Sequence, residues 1–189
     1  MGSVDSAFQS FPREKFLPSQ AGVGFDVALP IGFGQTISQP TTVRYMLDWL
    51  DVEPGDKILD VGSGSGWTSA LLAYLTGSTG RVYAVEIIPE LVQLGRDNCR
   101  RLGIHNLEFH KTGSRYGLPR YGPYDRILVS AAGDEVPGDL LSQVAVGGKM
   151  VIPIDEMIYE IEKLSEGNID VIEHPGFAFV PLVEPLNGR

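Results

Sequence analysis

From Thr41 onward the apolar positions alternate between two rhythms. In TTVRYMLDWL, Val43, Met46, Leu47 and Leu50 recur at helical spacing and share one face. Pro54-Gly55 reads as a turn, and KILDV (57–61) as a short, continuously apolar strand. That strand runs into a glycine loop and then an apolar helix carrying Trp67, Leu71, Leu72 and Leu75. RVYAVE (81–86) is a second strand; Pro89 stands where a helix begins, and that helix runs to about Leu102. LEFHKT (107–112) and YDRILVS (124–130) are two more strands. A short helix near Pro137 to Val144 follows, and Gly147-Gly148 leads into KMVIPI (149–154). In the tail, MIYEIEKL, the turn Glu166-Gly167-Asn168 and IDVIE predict an antiparallel hairpin, and FAFVPLV (177–183) a further strand.

Alternating strands and helices predict a doubly wound α/β fold, a mostly parallel sheet with helices on both faces. Residues 1–40 have little periodicity and many Gly and Pro residues. They read as a short helix followed by an extended arm that wraps the domain, and a stretch of that kind in a compact protein is commonly functional. The expected organisation is an N-terminal arm (1–40) and a domain (41–189) that together make one compact unit.

Composition narrows the partners. A chain of 189 residues, 43% apolar and 21% charged, is ordinary for one globular domain. The net charge of −9 makes it a poor electrostatic partner for nucleic acid, and Arg96, Arg100 and Arg101 read as the outer face of a helix. No apolar run is long enough to span a bilayer, and MGSVDSAFQS lacks the basic-then-apolar order of a secretion signal. Gly2 with Ser6 fits the loose N-myristoylation pattern, which matches often by chance. Neither nucleic acid nor membrane is therefore an expected partner. The single cysteine, Cys99, permits no intrachain disulfide and suits a reducing, cytoplasmic setting. His105, His110 and His174 form no metal-ligand spacing with one another or with Cys99, so no metal is expected.

The strongest local signal is ILDVGSGSGWTS, residues 58–69, with strand, glycine loop and helix in that order. Gly62, Gly64 and Gly66 allow a sharp turn and close approach of a ligand, and the helix start favours a negative group. Such a loop serves NAD, another nucleotide-like ligand, or none. Two details favour S-adenosylmethionine (SAM). The spacing is G-x-G-x-G, so the third glycine comes too early for the dinucleotide pattern. Asp60 beside the loop would repel a pyrophosphate, whereas SAM is positive at its sulfonium and amine. Glu86 ends the second strand a little over twenty residues after the loop, where a carboxylate can accept hydrogen bonds from a ribose. Ile87 and Ile88 follow and can pack on adenine or simply join the core. A sheet that ends in an antiparallel hairpin also points to the methyltransferase variety of this fold.

A third signal is PIGFGQTISQP (30–40), a polar, glycine-rich string ahead of the domain. That string followed by the strand and glycine loop resembles the protein-L-isoaspartate O-methyltransferase family. The likeness continues through FPREKFLP (11–18), YGPYDRILVSAAGDEVP (121–137), GGKMVIPI and FVPL (179–182). The glycine loop is shared with many methyltransferases; GQTIS and the terminal FVPL are more particular.

The resemblance implies a class I methyltransferase domain with a seven-stranded sheet, parallel except for one strand. It implies that Ser38 is the active-site serine and that Gln35, Thr36 and Ile37 cover SAM. It places Asp60, Gly62, Ser63, Gly64 and Glu86 around SAM, beside Ile87, with Ser114 at the position near the adenine, and Val180, Pro181 and Leu182 near a bound peptide. The implied reaction moves a methyl group from SAM to the free carboxylate of isoaspartyl residues in damaged proteins, leaving S-adenosylhomocysteine, and the implied state is a monomer. Three departures stand out. Ser114, in GSRYG, replaces the family's usual Asp; the N-terminal helix is short; and the turn IDEMI lacks an expected glycine.

The acceptor carboxylate is already ionised near neutral pH, since such groups titrate near pH ~4. No strong base is required, and Ser38 has no His or Lys partner in GQTIS to make it a nucleophile. It would donate a hydrogen bond that aims the acceptor. Two other readings remain at this level: a SAM-dependent methyltransferase for a small-molecule acceptor, and a SAM-binding module without catalysis.

Overall fold

The computed structural model describes residues 3–19 and 22–184; Gly2 of the acylation pattern lies outside them. The arm holds α1 (Val4–Ser10), a 3-10 turn (Arg13–Phe16), and a hairpin of β1 (Leu29–Gly32) and β2 (Gln35–Ile37). Helix α2 (Pro40–Leu50) leads into β3 (Lys57–Val61), α3 (Trp67–Thr76), β4 (Arg81–Glu86), α4 (Pro89–Arg101) and β5 (Leu107–Lys111). Then come β6 (Tyr124–Val129), α5 (Gly138–Leu141), β7 (Val144–Ile154), β8 (Met157–Ser165) and β9 (Asn168–Pro175).

Seven strands form one sheet in the order β5-β4-β3-β6-β7-β8-β9. The first five are parallel, and β8 runs against both neighbours, so one strand of seven is reversed. Alternate residues of each central strand enter opposite cores. Ile58, Val82, Ala84, Leu128 and Val151 face α1 to α4. Leu59, Val85, Ile127, Val129 and Ile152 face the other side, where α5 and loop residues such as Tyr116, Leu118 and Tyr121 supply the cover. Helices lie on both faces, unequally.

Helix α2 forms where its apolar stripe dictates. Val43, Met46, Leu47 and Leu50 are all at most 2% exposed, and burial of such side chains contributes about 1.5–3 kcal/mol each. The tail differs from its sequence pattern. Residues 177–183 do not form a strand; one bridge, Pro181 with Ala132, ties them to the chain leaving β6. Pro181 has no N–H to extend a ladder, and the segment crosses the ends of the strands instead of lying along an edge. The turn between β7 and β8 needs no glycine because Asp155 takes a φ of 50°, a conformation Asp tolerates better than most residues.

Candidate active site

The sheet has its reversal of winding between β3 and β6, and open α/β sheets bind ligands outside the strand ends at such a point. Here the chain leaving β3 makes a loop with Gly62, Gly64 and Gly66 all at positive φ (77°, 50° and 89°). Gly66 caps α3 and lies against α4. A Cβ there would stand 3.0 Å from the Gly95 oxygen and 3.1 Å from the Cys99 sulfur. The loop is thus held by backbone, with Gly62 and Ser63 N–H groups donating to the Val85 carbonyl at 2.9 and 3.2 Å.

Glu86, at the end of β4, is 6% exposed. Its Oε2 accepts from Gly64 N–H at 3.0 Å, and its Oε1 from Ile87 and Ile88 N–H at 2.8 and 3.0 Å. A carboxylate has about four acceptor positions, so these three bonds orient it rigidly and leave room for about one more. Asp60 lies deeper and is fully buried. Its Oδ2 accepts from Thr68 Oγ1 at 2.9 Å and Ser69 Oγ at 2.5 Å, while Oδ1 has no partner. Burial pushes this carboxyl up to about 6; the two hydroxyls oppose that and the charge of Glu86 adds to it. The Ser63 and Ser65 hydroxyls are buried without partners too. Three polar atoms without partners under one glycine loop make the floor of this site polar.

The arm supplies the opposite wall. Arg13, 5% exposed, reaches across it: Nη2 donates to Phe25 O at 2.8 Å, and Nη1 donates to Val27 O at 2.5 Å and Ser38 O at 3.2 Å. Asp26 between those carbonyls accepts from Thr41 N–H at 2.9 Å, Thr41 Oγ1 at 2.7 Å and Gln39 Nε2 at 3.0 Å, which ties the arm to the start of α2. The Thr41 hydroxyl and N–H, more than the other contacts, hold Asp26 below the usual carboxylate range. Trp67 Nε1–H donates to Phe11 O at 2.9 Å, fastening the arm to α3.

Three connected spaces result. A cleft brings together Gln35, Thr36, Gly62, Gly64, Glu86 and Ile87, with Val180, Pro181 and Leu182 across from them. A small recess of about 30 Å³ beside the loop adds Ile37, Ser38 and Ser63. An outer groove of about 440 Å³ runs from Ser38 and Gln39 to Phe177 and Phe179. Ser38 lines both recess and groove.

Two predicted positions stand elsewhere. Asp60 is beneath the loop rather than on the cleft surface, because its hydroxyl partners on α3 draw it inward. Ser114 is exposed and outside the cleft lining; Thr112, Tyr116 and Gly117 of the same loop face the cleft instead. Sequence reasoning assigned no role to these three, to Arg13 or to Ser130. Thr112 and Ser130 directly follow parallel strands, the positions that border a ligand crevice, and that rule would have found them. Arg13 left no such signal.

Comparison with known proteins follows the same lines. The family model for protein-L-isoaspartate(D-aspartate) O-methyltransferase matches residues 2–187. A protein-L-isoaspartate O-methyltransferase of Ignicoccus hospitalis is 43% identical over 188 residues, covering 96% of this chain and 89% of that protein. One from Aeropyrum pernix is 45% identical over 187 residues, covering 95% and 72%. A solved protein-L-isoaspartate O-methyltransferase superposes with a TM-score of 0.88 at 28% identity; the match covers 97% of this chain and 62% of that one. A Plasmodium falciparum structure described by the same enzyme name, in complex with S-adenosyl-L-homocysteine, gives 0.84 at 27% identity, covering 96% and 90%.

Proposed function

This chain belongs to the protein-L-isoaspartate(D-aspartate) O-methyltransferase family, and from that premise we propose how its clefts perform the family's reaction. The protein is a SAM-dependent carboxyl methyltransferase acting on isoaspartyl residues, which starts their repair. The observation that carries the assignment of roles is the meeting of an orphaned polar pocket under the glycine loop with the Ser38 hydroxyl at the next opening.

SAM, when bound, supplies a methyl group already activated by a positively charged sulfur. Glu86 takes a ribose hydroxyl at its remaining acceptor position, and Ile87 and Ile88 pack beside the base. Ser63, Ser65 and the Asp60 carboxylate satisfy the methionyl end, with Asp60 acting through the loop from below. Gln35, Thr36 and Ile37 close over the site. Tyr116 and Thr112 take the adenine side that Ser114 leaves open.

Ser38 donates to the acceptor carboxylate and aims one oxygen. Catalysis by such residues is orientation, an effect worth up to about 7–11 kcal/mol in total. Among the described residues, none lining the outer groove is charged. The acceptor is therefore recognised by hydroxyls, amides and shape, with Val180, Pro181 and Leu182 beside an extended peptide and the Pro181 carbonyl as an acceptor for it. The protein works as a monomer on isoaspartyl peptides and proteins, without metal, nucleic acid or membrane. Among the described residues no helix is long and apolar enough to cross a membrane.

The experiment offers labelled SAM with matched peptides holding isoaspartate, aspartate or neither. Transfer to the isoaspartyl peptide alone is expected; transfer to none, with SAM bound in calorimetry, would overturn the proposal. Ser38→Ala is expected to bind S-adenosylhomocysteine normally and to lose about tenfold or more in turnover.

A further inference from the structure

We infer that Ser130 is a second catalytic hydroxyl, donating to the acceptor carboxylate beside Ser38. The inference rests on the function proposed above and adds a residue to it.

Ser130 is the first residue after β6, and its N–H donates to Val61 O at 2.9 Å, which pins it at the mouth of β3. The backbone there is close to the glycine loop: a Cβ on Gly62 would meet Ser130 Cβ at 3.9 Å. Ser130 therefore stands at the winding reversal of the sheet, where β3 and β6 part. It borders the cleft, the recess and the groove alike, a property it shares with Thr36. Ser38 approaches the same junction from the arm, bordering recess and groove. Neither hydroxyl is engaged by another described residue.

The chemistry of the acceptor asks for this second donor. A carboxylate has two oxygens and about four acceptor positions, and attack uses one lone pair. The remaining positions lose water as the peptide fills the groove, and unpaired they carry a desolvation cost. Among the described residues the groove offers no guanidinium or ammonium to meet that charge. One serine leaves the second oxygen unheld, so the carboxylate would rotate about its C–C bond. Two hydroxyls bordering the same recess and groove, one set by the sheet and one by the arm, fix the plane of the carboxylate. The attacking oxygen then keeps its direction.

The test compares the unaltered protein with Ser130→Ala, Ser130→Thr and the double variant Ser38→Ala/Ser130→Ala. The readouts are kcat and KM for an isoaspartyl peptide at saturating SAM, and calorimetric binding of S-adenosylhomocysteine. Ser130→Ala is expected to lose about tenfold or more in kcat/KM for peptide, with S-adenosylhomocysteine affinity within about twofold of normal. Ser130→Thr, which keeps the hydroxyl, is expected to retain most activity. The double variant is expected to lose less than the product of the single losses, because both hydroxyls act on one group. A Ser130→Ala protein as active on peptide as the unaltered one would overturn the inference, and so would a loss fully matched by weaker S-adenosylhomocysteine binding. If the unaltered protein transferred no methyl group to the peptide, the parent proposal would fall as well, so the two failures are distinguishable.

Discussion

Replacing Asp60 by Asn separates the electrostatics of the glycine loop from its shape. Asp60 is fully buried, holds two hydroxyl donors on one oxygen and none on the other, and titrates near 6 in place of the ordinary 3.8. A raised pKa means that the folded protein holds the proton more tightly than the unfolded chain. Stability from this group is thus full below pH 3.8 and is lost as the pH rises through 6. At about 1.36 kcal/mol per unit, the loss over that window is about 3 kcal/mol. Asn cannot ionise, so its curve lacks that fall. The amide introduces a pH-independent penalty of about 1–3 kcal/mol, because its N–H groups have no acceptor at the orphaned position. The diagnostic is the slope. Urea unfolding of both proteins between pH 4 and pH 7.5 is expected to show the variant gaining about 2.5 kcal/mol on the unaltered protein across that range. Saturating SAM is expected to stabilise the unaltered protein more at pH 7.5 than at pH 5, and the variant equally at both. A stability difference that stayed flat over the whole range would refute the reasoning, since it would mean that the buried carboxyl carries no desolvation cost.

Other expectations follow from single contacts. Arg13→Met removes a buried guanidinium that holds the carbonyls of Phe25, Val27 and Ser38, and is expected to cost about 3 kcal/mol or more in urea unfolding; Arg13→Lys, with one donor group in place of a fork, is expected to recover only part of it. Gly66→Ala places a methyl group 3.0 Å from the Gly95 oxygen at a φ of +89°, and is expected to weaken S-adenosylhomocysteine binding at least tenfold in calorimetry. Cys99 is 2% exposed and its thiol is pushed up to about 12 by burial and the Asp60 charge, so disulfide reagents at pH 8 are expected to label it only after unfolding.

Much of the fold is legible in the chain because its information is local. The stripe of Val43, Met46, Leu47 and Leu50, the five apolar runs of the parallel strands and the Gly167 hairpin each declare an element through neighbouring residues alone. So do Gly62 and Gly64, whose backbone freedom is a property of the residue, and Glu86 at the end of its strand. Where the pattern misled, distant partners decided. FAFVPLV has strand composition, yet its bridge is a single one to Ala132 and Pro181 cannot extend a ladder. The surroundings of Asp60, near the end of β3, and of Ser114, in the loop after β5, are likewise set by residues elsewhere in the chain. The hydroxyls of Thr68 and Ser69 pull the first inward, and the path of the loop after β5 turns the second outward.

The chain by itself determined the order of strands and helices, the glycine loop and the polar arm, because backbone propensity and hydrophobic periodicity act over a few residues. Only the tertiary structure decided which side chains meet. Arg13 reaches Ser38 across 25 positions, and Ser130 lines the same recess as Ser38. The reason is that the crevice is a gap between strand ends. Its walls come from segments far apart in sequence, and their juxtaposition is set by the sheet order and by packing.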